Sequence, residues 1–297
     1  MGYVFLMSAL LMGATKGYCG KKTSGSMQSY SDAMLINTLR MFLCIIIGSV
    51  FVLAGDKSFS AFQLSPYLFF ICEISGISTS FFVVTWIVSV KRSAYMMLDV
   101  FLTLAVIVPL ILCNILFDEA IKPLQWLGFI MLVIAAYIMC SYNNSIKEKI
   151  TMRSFLLMLV CGLSNGVSSF AQKWFTYKSV RASAAVFNFY TYVISAIILL
   201  TCFIIVSRNE NKSNLLSPLK HIYGYVIVMA VCLFLNSFFM TKSAEYLDSV
   251  KTYPLSQGGA LILSTLMSVI FFKEKITVKC VIGLVITFAS LLIINLT

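Results

Sequence analysis

Long apolar stretches separated by short polar connectors dominate the sequence. Ten of these stretches have about the 20 residues that an α-helix needs to cross a bilayer. They cover residues 2–20, 33–54, 66–90, 94–117, 124–141, 152–172, 183–207, 220–245, 250–272 and 277–296. Within lipid only helices and closed barrels satisfy their backbone hydrogen bonds, and these runs are too long and uniformly apolar for barrel strands. The pattern predicts an all-α membrane protein with ten transmembrane helices.

The composition agrees with this prediction, because 60% of the residues are apolar and only 11% are charged. Such a chain cannot cover a water-facing surface, which excludes soluble globular enzymes and disordered proteins. The net charge of +11 comes mainly from basic residues in the connectors, where lysines commonly flank membrane spans. We therefore expect membrane lipid as a partner and no nucleic acid.

The polar connector at residues 142–151 falls midway along the chain and divides it into two predicted halves of five helices each, residues 1–141 and 152–297. The halves resemble each other where residues 117–128 align with 272–283 without a gap. This alignment matches Glu119 with Glu274 and Gly128 with Gly283. An odd number of helices makes the second half enter from the opposite face. The sequence thus predicts two inverted five-helix repeats, an arrangement found in secondary transporters.

The segment YPLSQGGALILSTLMSVIFFKEKITVKCVIGLVITFASLLI, residues 253–293, resembles the end of an EamA-type unit of the drug/metabolite transporter superfamily. Residues 94–140 form a weaker copy. The resemblance implies ten helices in two EamA-type units and a transporter of small organic metabolites, commonly an exporter. It names no substrate. The sequence departs from the family in its fourth helix, where the usual proline near position 106 is absent and Pro109 lies close by.

Ionisable residues inside predicted spans are costly and mark functional sites by default. Counting 1.5 Å per residue from the helix ends places Lys16, Arg40 and Asp99 at a common depth. One interpretation is structural: Asp99 pairs with Arg40 or Lys16, or Lys16 extends its amine towards the interface. The other is that these charges belong to a substrate or proton pathway.

Glu73 is the remaining carboxyl of this kind, and its own half offers no basic residue at its depth. Its polar neighbours by depth are Asn236 and Gln257. Such a carboxyl can exchange a proton against a substrate or contact a cationic substrate directly. The alternative is a protonated, purely structural glutamate.

Uncharged polar residues in the spans extend this predicted pathway. Asn165 and Gln172 lie two turns apart on one helix face, and the glycines at 258 and 259 leave room for a ligand beside Gln257. We expect a site lined by the first, third, fourth, sixth, eighth and ninth apolar segments. The candidate residues are Glu73, Asn236, Gln257, Asn165, Gln172, Asp99 and Lys16.

The sequence contains no recognisable enzyme motif. It has one histidine, His221, and no phosphate-binding loop, so we expect no metal, no cofactor and no ATP. We predict a secondary transporter that moves a small metabolite across a bacterial inner membrane by alternating access, as a proton-coupled exporter. Uptake of a small amine or cation is an alternative, as is a lipid-handling flippase or membrane enzyme. The sequence leaves open whether the chain forms a homo-oligomer.

Overall fold

The computed structural model describes residues 1–27, 29–55, 59–92, 95–140, 152–178, 183–208, 219–272 and 278–296. Within these ranges the chain is helical and contains no strand. A short 3-10 helix, Phe59–Phe62, precedes α3. The α-helices are α1 Gly2–Ser24, α2 Tyr30–Gly55, α3 Pro66–Arg92, α4 Tyr95–Leu104, α5 Ile107–Phe117, α6 Pro123–Cys140, α7 Met152–Lys178, α8 Ala184–Ser207, α9 Leu219–Tyr246, α10 Ser249–Phe272 and α11 Val278–Leu296.

The all-helical prediction is confirmed for the described residues, and six helices there are long and apolar enough to cross a membrane. These six are α2, α3, α7, α8, α9 and α10. Shorter apolar helical segments cover Phe101–Phe117, Pro123–Ile138 and Val281–Leu296. The total of ten spanning helices stays a prediction, as do the inverted repeat and the division into two five-helix halves.

The predicted helix over 94–117 is interrupted, and Pro109 explains why. Proline has no backbone N–H, so the carbonyl of Ala105, four residues earlier, loses its usual helical donor. That carbonyl instead accepts a hydrogen bond from the amide of Val108, at 3.1 Å. Residues 105 and 106 thus form a turn between α4 and α5.

Two glycines of α7 bring this interrupted region into close contact. A Cβ atom at Gly162 would lie 2.6 Å from the carbonyl oxygen of Phe101, and one at Gly166 would lie 2.6 Å from that of Ala105. Only residues without a side chain allow this backbone approach, as in small-residue interfaces between membrane helices. The spacing of Gly162 and Gly166 therefore serves packing of α7 against α4 and α5.

The most extensive helix contacts join the two predicted halves. They pair α1 with α9, α3 with α7, α2 with α8, and α6 with α11. Large apolar side chains cover the outside of this bundle: Ile46 is 61% exposed, Ile115 is 67% exposed and Val285 is 63% exposed. Water-soluble monomers rarely present such a continuous apolar surface, whereas a lipid-facing surface requires it.

Candidate functional site

A cavity of about 180 Å³ lies among α1, α3, α4, α7, α8, α9 and α10. All six apolar segments that were expected to line the site contribute residues to this cavity. The helix α8, which was not expected there, contributes Tyr192. Most of the helices present polar groups to the cavity. These groups are Lys16, Thr79, Asn165, Ser168, Ser169, Gln172, Tyr192, Asn236, Ser237, Tyr253, Ser256 and Gln257.

Five of the candidate residues meet at this cavity: Lys16, Asn165, Gln172, Asn236 and Gln257. Their convergence is a property of the fold, since they come from α1, α7, α9 and α10. Whether each of them contacts a substrate stays a prediction.

Asn165 and Gln257 line the cavity with side-chain amides that hydrogen-bond to no described residue. Both side chains are half-buried. Amide groups in a low-dielectric interior need partners, because leaving them unpaired costs free energy. Water or a bound solute in the cavity can supply those hydrogen bonds.

The amides of Asn236 and Gln172 already hold helices together. Asn236 donates through Nδ2 to the carbonyl of Ala9, at 2.7 Å, and thereby joins α9 to α1. Gln172 donates through Nε2 to the hydroxyl of Ser237, at 3.1 Å, and this hydroxyl donates to Oδ1 of Asn188, at 2.5 Å. The carbonyl oxygens of the Asn236 and Gln172 side chains accept no hydrogen bond from a described residue.

The interior of the bundle contains two basic side chains close enough to interact electrostatically, Lys16 and Arg40. The Lys16 amine lies 5.8 Å from the centre of the Phe82 ring. Arg40 is 1% exposed, and its guanidinium donates to Oδ1 of Asn37, one turn earlier in α2, at 2.6 Å. The Nε atom of Arg40 is buried without a hydrogen-bond partner in the described part of the chain.

The Asp99 side chain, expected to pair with Arg40 or Lys16, lies outside the described residues. Among the carboxylates that are described, none forms an ion pair with either cation.

Glu73 lies outside the lining of the cavity. It is half-buried in α3, directly after Cys72, which packs against Ala171, Phe175 and Phe187 in the contact with α7 and α8. Its carboxyl forms no hydrogen bond or ion pair with a described residue. Its predicted role in proton transfer or substrate contact stays a prediction.

Gln257 lines the cavity, but the glycines at 258 and 259 do not supply the space beside it that the sequence predicted. A Cβ atom at Gly258 would lie 2.6 Å from Cδ2 of Leu291, and one at Gly259 would lie 2.6 Å from Cδ1 of Leu10. These glycines allow leucines of α11 and α1 to pack closely on α10. The cavity in front of Gln257 comes from the arrangement of several helices.

Beyond the cavity, a buried ion pair connects the two predicted halves. Lys173 of α7 lies 3.0 Å from Glu119 of the connection between α5 and α6. The Lys173 amine also donates to the carbonyls of Ala244, at 3.1 Å, and Leu247, at 2.8 Å. Glu119 accepts from the amide of Ser249, at 2.7 Å, and from the Ser249 hydroxyl.

The Lys173 amine lies at the end of α9, and the Glu119 carboxylate lies at the start of α10. Each position is favourable for the charge that it holds. A cation is stabilised near carbonyls at a helix C-terminus and an anion near amides at an N-terminus. The only prior signal was the alignment of Glu119 with Glu274. Lys173 and Glu119 are distant in sequence, and each was assigned to a connector, so their contact required the tertiary structure.

The comparison with protein families supports a transporter. The model of the EamA-like transporter family matches residues 152–296. No curated protein matches the sequence. Among solved structures, one crystal structure of a protein aligns over 99% of this chain and 96% of its own, with 13% sequence identity and a TM-score of 0.75. At this identity the likeness shows the fold alone.

The apolar helices, their exposed apolar surface and the family match together define a multi-pass membrane protein of the transporter class. The family match over residues 152–296 confirms the resemblance to the drug/metabolite transporter superfamily.

Proposed function

We propose that the protein is a secondary transporter that moves a small polar metabolite across the membrane by alternating access. The observation that carries this proposal is the cavity, which is lined by polar side chains inside a bundle with an apolar outer surface. Secondary transporters bind substrates near the midplane, where two repeats meet. Lys16 and Thr79 reach the cavity from the first predicted half, and Asn165, Asn236 and Gln257 reach it from the second.

The pairing of helices supports two related halves. Exchanging each helix with the one at the same place in the other half turns the α1–α9 contact into the α7–α3 contact. It leaves the α2–α8 and α6–α11 contacts unchanged, and all four are major contacts of the bundle. Two halves related in this way can rock around a central site, which is the motion that alternating access requires.

The ion pair between Lys173 and Glu119 is suited to hold one end of the cavity closed. Ser169 and Tyr253 line the cavity, and the Tyr253 hydroxyl donates to the carbonyl of Ser169, at 2.5 Å. Lys173 lies one helical turn beyond Ser169. We propose that separation of Glu119 from Lys173 accompanies opening of this end.

We propose that the direction of transport is export across a bacterial inner membrane and that this transport is coupled to protons. The support is Glu73, a half-buried carboxyl without a partner among the described residues. In this proposal Glu73 binds a proton in one state of the transporter and releases it in another. Glu73→Gln should abolish transport driven by a pH gradient and preserve exchange of substrate between the two sides. Intact pH-driven transport in this variant would refute the assigned role.

The proposed function can be tested by substrate counterflow in proteoliposomes that contain the purified protein. A panel of neutral, anionic and cationic metabolites is first screened by thermal stabilisation, because a ligand that binds only the folded state raises its stability. Gln257→Leu should abolish counterflow of a stabilising metabolite. Gln63→Leu is a matched control, since Gln63 lies before α3, outside the lining of the cavity.

Counterflow that is equal in wild type and Gln257→Leu would place the substrate elsewhere. If no metabolite is transported but fluorescent phospholipid moves between the leaflets, the protein handles lipid and the proposal fails.

A further inference from the structure

We propose that the transported solute carries an anionic group, such as a carboxylate, which binds the amine of Lys16 in the central cavity. This inference rests on the proposed function and adds the chemical class of the substrate. The solute would also carry hydroxyl or N–H groups, which bind the amide side chains on the opposite wall.

The first support is an unbalanced charge. Lys16 lines the cavity, and Arg40 lies close enough for the two positive charges to repel each other. The described lining contains no aspartate or glutamate. A cation inside a membrane protein is stabilised by a counter-ion, and a substrate anion supplies one at the place where the described side chains do not.

The second support is the contrast with two other lysines of the bundle, Lys173 and Lys242. Lys173 lies 3.0 Å from Glu119, and Lys242 lies 2.9 Å from Glu245. The charges of these lysines are thus balanced within the protein. The Lys16 amine instead faces the Phe82 ring, a contact that leaves its hydrogen-bond donors available to a ligand.

The rest of the lining complements a polar solute. Asn165 and Gln257 offer both donors and acceptors, since their amides have no described partner. The side-chain oxygens of Asn236 and Gln172 are available as acceptors. An organic acid with hydroxyl or N–H groups can satisfy both sets of groups. An amine would be repelled by Lys16 and Arg40 at short range in a low-dielectric interior.

The test compares probes of different charge. Lactate with lactamide, and nicotinate with nicotinamide, form two matched pairs, and choline and putrescine represent cations. Binding is measured by thermal stabilisation, and transport by counterflow in proteoliposomes. We expect each carboxylate to bind more tightly than its amide, and we expect no binding of the cations.

Lys16→Gln should weaken carboxylate binding by roughly tenfold to a hundredfold, because it removes a charge-assisted hydrogen bond. Amide binding should change little, and Lys16→Arg should restore part of the preference for carboxylates. Lys22→Gln is the matched control, because Lys22 is an exposed residue near the end of the same helix and lies outside the lining.

The outcomes separate this inference from the proposed function. If counterflow is found for amides or cations and is lost in Gln257→Leu, the transporter stands and the anionic class is refuted. Equal carboxylate affinity in wild type and Lys16→Gln also refutes it. A third refutation would be that Asp99→Asn destabilises the ligand-free protein and that adding Lys16→Gln restores its stability, since Asp99 would then be the counter-ion.

Discussion

Lys173 and Lys16 are both lysines of the helical bundle, but their surroundings differ. The Lys173 side chain is 9% exposed, and its amine contacts Glu119 and the carbonyls of Ala244 and Leu247. An ammonium group has three donors, so these three acceptors complete its hydrogen bonds. Lys16 lines a cavity and faces an aromatic ring, and no described carboxylate neutralises it.

The difference shows how one residue type acquires two roles in one fold. A cation with a complete set of partners adds a firm contact between the elements that supply them. A cation with an incomplete set, beside an enclosed space, favours a ligand that completes it. The same rule separates Gln172, which bonds to Ser237, from Gln257, which has no described partner.

The largest effect is expected where the complete set of partners is broken. Glu119→Leu leaves the Lys173 charge buried without its counter-ion, which should destabilise the protein by about 3–5 kcal/mol. A strong fall in the apparent melting temperature of the purified protein in detergent would show it. A melting temperature equal to that of wild type would contradict the structural role of the pair.

A double replacement sharpens this result. Combining Glu119→Leu with Lys173→Met removes both charges, and apolar replacements of a buried ion pair are often neutral. We expect the double variant to recover most of the lost stability. If the pair also controls opening, its counterflow should still differ from that of wild type, whereas unchanged counterflow would leave the pair with a structural role alone.

Lys16→Met is expected to change stability in the opposite direction. Insertion scales assign a lysine at the centre of a membrane helix about 2.5–3.5 kcal/mol, so removing this charge should leave the ligand-free protein as stable as wild type or more stable. Thermal unfolding without ligand measures this difference. A clear loss of stability would mean that Lys16 has a structural partner within the protein.

A smaller effect is expected at Gly166, which fixes the position of α7, the helix that carries both Asn165 and Lys173. A Cβ atom there would lie 2.6 Å from the Ala105 carbonyl, so Gly166→Ala should cost about 1–3 kcal/mol. Gly224→Ala in α9 is the matched control, because nothing lies within 4 Å of its added Cβ atom. This control should gain up to about 1 kcal/mol from better helix propensity, and equal effects of both changes would exclude close packing as the cause.

Hydropathy alone predicted much of the fold, because a membrane span requires a long apolar run. It also indicated five cavity residues, since a polar amide or amine inside such a run needs an internal partner. The interruption of 94–117 was missed, although Pro109 was visible, because a proline in a membrane helix can be accommodated by a kink or by a full break.

Features that depend on helix rotation and on contacts distant in sequence could not be predicted. The third apolar segment is apolar on every side, so its sequence does not tell whether Glu73 faces the cavity. The space beside Gly258 is filled by Leu291 of another helix, which a local pattern cannot reveal. The contact of Glu119 with Lys173 likewise arises only when α5, α7 and α9 assemble.

The smallest effect is expected at Lys242, which contacts Glu245 one turn away at the surface of α9. Both side chains are 28% exposed, so water screens the charge that each loses when its partner is removed. Exposed pairs contribute about 0–1 kcal/mol, and Lys242→Met should therefore shift the melting temperature far less than Glu119→Leu. A comparable loss at both sites would mean that burial does not distinguish the two ion pairs, and the contrast between complete and incomplete partner sets would lose its energetic basis.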